Sequence, residues 1–139
     1  MAARLRTARS LPQVLDAGFD VFEFIRMLAR HSQDRAPELF AAFMATAGAA
    51  VDGREAITTA PSLPPADGPL TFLSEPAPNT DLEEVIEALA ALATLLGQRL
   101  TRAATAADPA DRAACEEAAA EAQRIVHLMG RDGDDCDRR

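Results

Sequence analysis

Histidine is the first residue type to consider for catalysis, and this chain has only His31 and His127. A carboxylate-bridged metal centre in a helical bundle needs an inward-facing Glu three residues before a His. Neither histidine has one. His31 falls at the end of a predicted helix, where a protonated imidazole complements the helix dipole. His127 falls on a solvent-facing helix side, which meets only the exposure requirement of a phosphotransfer histidine. We therefore predict no catalytic residue and no metal ligand.

The cysteines and acidic residues also lack the setting that chemistry requires. Cys115 lies on the apolar face of a predicted helix without a His neighbour to activate it, so we expect a small buried hydrophobe. Cys136 lies in an acidic stretch, residues 132–137, that lacks the closing Glu of a calcium loop. We expect the glutamates of the last two helices, including Glu121, to be solvated. No phosphate-binding Gly-rich loop follows a strand, and we predict no cofactor and no enzymatic activity.

Phenylalanine is the remaining candidate for a specific site. Five of the six phenylalanines fall in the first two predicted helices, and the sixth, Phe72, lies in a Pro-rich stretch. These side chains can simply form the core. Two functional alternatives stay open. One is an apolar ligand pocket closed by the Pro-rich stretch, lined by Phe19, Phe22, Phe40, Phe43 and Phe72. The other treats Phe24 as an anchor in a protein interface.

Composition favours an all-α fold, because alanine is the commonest residue, and Trp and Tyr are absent. The pattern predicts a four-helix bundle, residues 10–130, with helices at about 10–31, 37–51, 80–106 and 108–129. Ser10 and Gln13 have the spacing of a capping box, and Thr80 is the expected cap of the third helix. Gly53 and Gly130 are the expected stop signals of the second and fourth helices. The third and fourth helices should form an antiparallel hairpin.

The three segments outside these helices are predicted to be a basic arm, a disordered tail and an extended connection. Residues 1–9, with Arg4, Arg6 and Arg9, should be a solvated basic arm, and residues 131–139 a disordered tail. Residues 54–79 hold six of the nine prolines. This long connection between helices 2 and 3 is expected to lie as an extended strap on the bundle.

The first two helices are too apolar to be covered easily by a chain of this length. The first has an apolar arc of roughly 220°, wider than the stripe of an ordinary surface helix; its polar stripe includes Asp16, Asp20 and Glu23. The second carries no charge from Leu39 to Val51 and has one face of small residues. We expect a second copy of the chain to cover them, giving a two-fold dimer or an adaptor-like interaction protein. The expected interface residues are Phe24, Leu28, Ala41, Ala45, Gly48 and Ala49.

Charge bears on partners and on cellular location. The formal net charge of −8 disfavours binding to nucleic acid or to an anionic membrane surface. No apolar run reaches the length of a membrane span, and the N-terminus lacks the apolar region of a secretory signal. All 14 basic residues are arginine, which is typical of a GC-rich bacterial genome. Two cysteines form no disulfide framework, and we expect a cytoplasmic protein.

Overall fold

The computed structural model describes residues 1–65 and 81–137, with side chains described as far as Gly130. All its regular elements within those residues are helical, which confirms the all-α prediction. They are α1 (Ala2–Thr7), α2 (Leu11–Ser32), a 3-10 turn (Pro37–Leu39), α3 (Phe40–Thr58), α4 (Leu82–Thr105) and α5 (Pro109–Asp137). Residues 66–79 of the predicted strap, including Phe72, lie outside the described residues.

The start of α2 follows the local pattern of its sequence. The Ser10 hydroxyl accepts a hydrogen bond from the Gln13 backbone N–H at 3.3 Å. The Gln13 side chain accepts in return from the Ser10 backbone N–H at 3.4 Å. The predicted capping box is therefore confirmed, and it satisfies two donors that would otherwise lack partners at the helix terminus.

The four long helices contact one another in a closed order. α2 packs against α3 and α4, and α5 packs against the same two helices. This arrangement covers α2 from two sides, as its wide apolar arc requires. Small residues allow close approach between α4 and α5, where a Cβ at Gly97 would stand 3.6 Å from the Ala122 Cβ. The largest fully buried side chains include Phe22, Phe43, Leu15, Ile25, Leu89, Leu96 and Ile125.

Helix α3 does not stop at Gly53, and the predicted end near Val51 is wrong. The helix continues to Thr58. Gly53 is buried, and it does not have the positive φ that ends a helix at glycine. Its missing side chain serves packing instead. A Cβ there would stand 2.4 Å from two ring carbons of Phe22, so only glycine lets α2 and α3 approach this closely.

The boundaries of the last two helices also differ from the prediction. The carboxylate of Asp81 accepts from the Glu83 backbone N–H at 3.2 Å and caps α4, whereas Thr80 lies outside the described residues. α5 continues through Gly130 to Asp137. Gly130 again lacks a positive φ. The predicted helix end at 129 and the predicted disorder of residues 131–137 are therefore corrected.

The N-terminal residues form a packed helix, not a solvated arm. Leu5 of α1 is fully buried, and α1 contacts both α2 and α4. Arg4 binds Asp20, and its Nη2 donates to Asp16 Oδ2 at 2.9 Å. Its hydrogen bond with Asp20 raises the pKa of Arg4 further above its already high ordinary value. Asp20, expected on a solvated stripe, is consequently buried beside α1.

Candidate interaction groove between α2 and α3

One side of α3 carries an uncharged strip that faces solvent. Phe40 and Met44 are the two large hydrophobic side chains most exposed among the described residues, at 39% and 52%. Gly48 and Val51 continue on the same helix side at spacings of four and three residues. No charged residue occurs from Phe40 to Val51. This solvent-facing strip, defined by Phe40, Met44, Gly48 and Val51, spans about 17 Å of the helix.

The α3 strip forms the floor of a groove whose other wall is α2. The groove has a volume of about 450 Å³, and Arg26, Arg30 and Arg54 line it beside the apolar floor. An apolar floor with a cationic rim is an unusual surface on a chain whose net charge is −8. Such a surface suits an occupant that carries apolar side chains and carboxylates together.

Two of the three groove arginines are held in place by one buried carboxylate. Glu23 is only 7% exposed. It accepts from Nε and Nη2 of Arg26, both at 3.2 Å, and from Arg54 of α3. Burial by itself raises the pKa of Glu23, but the bonds and charges of the two arginines outweigh it and leave the pKa below its ordinary value. This cluster of Glu23, Arg26 and Arg54 joins α2 to α3 and has a net charge of +1. Arg30 adds a second positive charge to the groove.

The structure divides the predicted interface residues into accessible and inaccessible ones. Ala41 and Gly48 are exposed, and Ala45 and Phe24 are half-buried. Leu28 is 6% exposed and Ala49 is fully buried, so neither can contact a partner without a rearrangement of the core. The predicted face of small residues is thus only partly accessible, and the exposed side of α3 includes Phe40 and Met44, one residue before Ala41 and Ala45. Met44, Arg26 and Arg30 were missed, although the spacing of Met44 from Phe40 places both on one helix side.

The predicted phenylalanine pocket does not assemble among the described residues. Phe22 and Phe43 are fully buried in the core, while Phe19 is half-buried against it. Phe40 alone lines the groove. These side chains therefore act mainly as core, which is the simpler of the interpretations above.

The residues considered for catalysis are dispersed. His31 and His127 are both exposed, on α2 and α5 respectively. Cys115 is a free, buried thiol, as expected of a small core residue. Burial, with smaller contributions from Asp111 and Glu116, raises its pKa to about 11, so the thiolate nucleophile is scarce at neutral pH. Glu121, expected to be solvated, is instead half-buried on α5.

Within residues 1–65 and 81–137, no helix combines the length and apolar character needed to cross a bilayer. Among the side chains described, those of residues 1–65 and 81–130, no three of His, Cys, Asp or Glu come together as potential metal ligands. Comparisons of the chain with protein-family models, with curated proteins and with solved structures find no match.

Proposed function

We propose that this chain is a non-enzymatic interaction protein that self-associates through the α3 strip and the adjoining wall of α2. The observation that carries this proposal is the solvent exposure of Phe40 and Met44 on a stretch of α3 without charge. Scattered exposed hydrophobic residues are normal on a protein surface. Here the exposed side chains of Phe40 and Met44 instead adjoin one another in a strip rimmed by cations, although the strip alone is smaller than a typical contact patch.

Charge complementarity favours a second copy of the chain as the occupant. Asp52 and Glu55 are exposed on α3 just beyond the strip. Contacts of Gly18 with Ile57 and of Glu23 with Arg54 show that α2 and α3 run antiparallel, so Arg30, seven residues beyond Glu23, lies nearer the beginning of the strip than Arg54 does. If two strips cross antiparallel about a two-fold axis, the acidic end of each copy meets the Arg30 end of the other. Two symmetric ion pairs then flank an apolar centre.

The size of the strip indicates that this association is weak. A helix face about 17 Å long and about 10 Å wide presents roughly 170 Å², far below the ~800 Å² per partner of a stable interface. The α2 wall must therefore contribute to the contact. We expect a dissociation constant of about 10–100 µM and a dimer that weakens as salt screens its ion pairs.

Sedimentation of the whole chain across about 1 µM to 1 mM tests this proposal, since that range brackets the expected constant. The mass should rise from the monomer value of 14.8 kDa toward twice that value. Met44→Glu should keep the chain monomeric, because it places a charge in the centre of the contact. Ala120→Glu, a change of equal charge at an exposed site on α5, should behave like the original chain. A constant monomer mass, or equal effects of both substitutions, would refute self-association by this route.

An apolar ligand is the second candidate occupant of the groove. The volume of about 450 Å³ falls within the range of small-molecule sites. Among the described members of the predicted phenylalanine pocket, only Phe40 lines this volume. Arg30 can bind the carboxylate of an amphipathic ligand. Thermal unfolding in the presence of medium-chain fatty acids tests this alternative. A higher melting temperature that disappears in Met44→Glu supports it, and unchanged melting excludes it.

We also propose a four-helix architecture, a cytoplasmic location and a bacterial source for this chain. The closed packing order of α2, α3, α5 and α4 supports a four-helix bundle with a long Pro-rich connection, predicted at residues 54–79, between α3 and α4. The free thiol of Cys115 fits a reducing cytoplasm. An arginine-only basic composition fits a bacterial source. The dispersed histidines and the high pKa of Cys115 support a role without catalysis.

A further inference from the structure

A second cavity lies where the junction of α1 and α2 meets the C-terminal end of α4. Its volume is about 640 Å³, and four arginines line it: Arg6, Arg9, Arg99 and Arg102. Leu11, Val14 and Ala103 supply apolar lining. We refer to this cavity as the arginine cleft. It shares no lining residue with the groove between α2 and α3.

The arginines of the cleft differ from four other arginines of the described residues, each of which has a carboxylate partner. Arg4, Arg26, Arg54 and Arg124 each pair with an Asp or Glu. Among the described residues, no carboxylate lies within ion-pair distance of Arg6, Arg9, Arg99 or Arg102. Within the described part of this acidic chain, four cations around one cavity thus lack a carboxylate partner, although carboxylates outnumber arginines in the sequence.

Helix dipoles do not account for this concentration of charge. Arg6 and Arg102 lie in the last turns of α1 and α4, where a cation complements the helix C-terminus. Each helix C-terminus is equivalent to at most about half a negative charge. The two C-termini therefore compensate about one of the four arginine charges and leave about three uncompensated. The N-terminus of α2, at the same cleft, adds positive potential.

Arg99 shows how firmly part of this charge is held. Its Nη2 donates to the backbone carbonyl of Ala8, which joins α4 to the α1–α2 junction. Its Nε is buried without a hydrogen-bond partner. The guanidinium therefore stays at the cleft wall with part of its hydrogen-bonding capacity unused. A nearby anion compensates such a charge without ordering a flexible side chain.

We propose that the arginine cleft binds a small phosphorylated molecule with about three or four negative charges, such as a nucleoside di- or triphosphate. Guanidinium groups match phosphate oxygens in geometry and charge. The apolar lining accommodates the uncharged part of the ligand, and the cavity volume lies within the range of small-molecule sites. A long nucleic acid fits less well, because the −8 charge of the chain repels phosphates beyond the cleft.

Isothermal titration calorimetry of the whole chain with inorganic phosphate, pyrophosphate, ADP and ATP tests this proposal. ATP should bind with a dissociation constant of about 10–100 µM, and phosphate at least about tenfold more weakly. Arg9→Gln and Arg102→Gln should each weaken ATP binding about tenfold. Both side chains are exposed, so the fold should tolerate these changes, and circular dichroism verifies that it does.

Arg124→Gln is the matched control, because it removes the same charge from an exposed site on α5. It should leave ATP binding unchanged. Three results would overturn the proposal: no binding of ATP, equal weakening by Arg124→Gln, or tighter binding of a single-stranded oligonucleotide than of ATP. None of these results bears on self-association, because the cleft variants leave the α3 strip intact.

Discussion

Replacing Gly53 with alanine tests the closest contact between α2 and α3. In an ordinary helix interior, this substitution stabilises a protein by about 0.5–1 kcal/mol, since glycine loses more backbone entropy on folding. Here the new Cβ would stand 2.4 Å from two ring carbons of Phe22 and 2.8 Å from a third. An ordinary contact needs at least 3.4 Å, so the ring must move by roughly 1 Å.

The surroundings of Phe22 decide the size of the effect. Its side chain is fully buried, and a well-packed core resists such a shift at a cost of about 1–3 kcal/mol, sometimes more. After subtraction of the helix-propensity gain, we expect Gly53→Ala to lower the free energy of unfolding by about 1–2 kcal/mol. For a chain of this length, that corresponds to a fall in melting temperature of roughly 3–8 °C.

Urea and thermal unfolding followed by circular dichroism at low protein concentration measure this effect. Gly48→Ala is the control in the same helix, because a Cβ there meets nothing within 4 Å. It should stabilise the chain by about 0.5–1 kcal/mol. Adding Phe22→Leu to Gly53→Ala should give a double variant more stable than the sum of the single effects implies, since the shorter side chain relieves the contact. If Gly53→Ala stabilises as much as Gly48→Ala, the packing described for α2 and α3 is wrong.

Two further predictions concern polar groups without adequate partners. Thr46 is fully buried and its hydroxyl has no hydrogen-bond partner, so Thr46→Val should raise the free energy of unfolding in urea by about 1 kcal/mol. The control Thr94→Val, at an exposed site, should change this free energy little. A loss of stability in Thr46→Val would contradict the burial of an unpartnered hydroxyl. The pKa of Glu121 lies above its ordinary 4.5, mainly because the side chain is partly buried. The charges of Asp52 and Glu117 also raise this pKa, whereas the charge of Arg124 lowers it. The native state therefore binds this proton more readily than the unfolded state, and the stability that Glu121 contributes falls as pH rises above 4.5. Glu121→Gln should stabilise at pH 7 and lose that advantage in acid, and an advantage independent of pH would refute the assignment.

Local sequence patterns predicted some helix boundaries and failed at others for a common physical reason. The Ser10–Gln13 capping box depends only on residues that are neighbours in the chain, and it forms as expected. A glycine ends a helix only if its backbone adopts a positive φ, and distant packing decides whether it does. Gly53 stays helical, and its missing side chain makes room for the ring of Phe22, 31 positions away. No property of the Asp52-Gly53 pair alone reveals that partner.

The same limit explains the errors in predicted burial. Asp20 and Glu23 belong to the polar stripe of α2, and periodicity alone places them in solvent. Both are buried because arginines from other elements reach them: Arg4 from α1 and Arg54 from α3. Recognising these pairs requires knowing how the helices are arranged. The apolar side of each helix could be predicted from sequence, whereas the partners of its charged residues could not.

The two proposed binding surfaces lie toward opposite ends of α2, and this separation bears on how they can influence each other. The arginine cleft involves Leu11 and Val14, and the groove involves Arg26 and Arg30. At 1.5 Å per residue, the two sets are about 23 Å apart along the helix. That distance is well beyond the screening length of about 8 Å at physiological salt, so charge at one surface is barely felt at the other. Any influence of a bound anion on self-association must therefore pass through helix packing, either along α2 or from α4 through α5 to α3. Such coupling acts equally in both directions, so a ligand that strengthens the dimer is bound more tightly by the dimer.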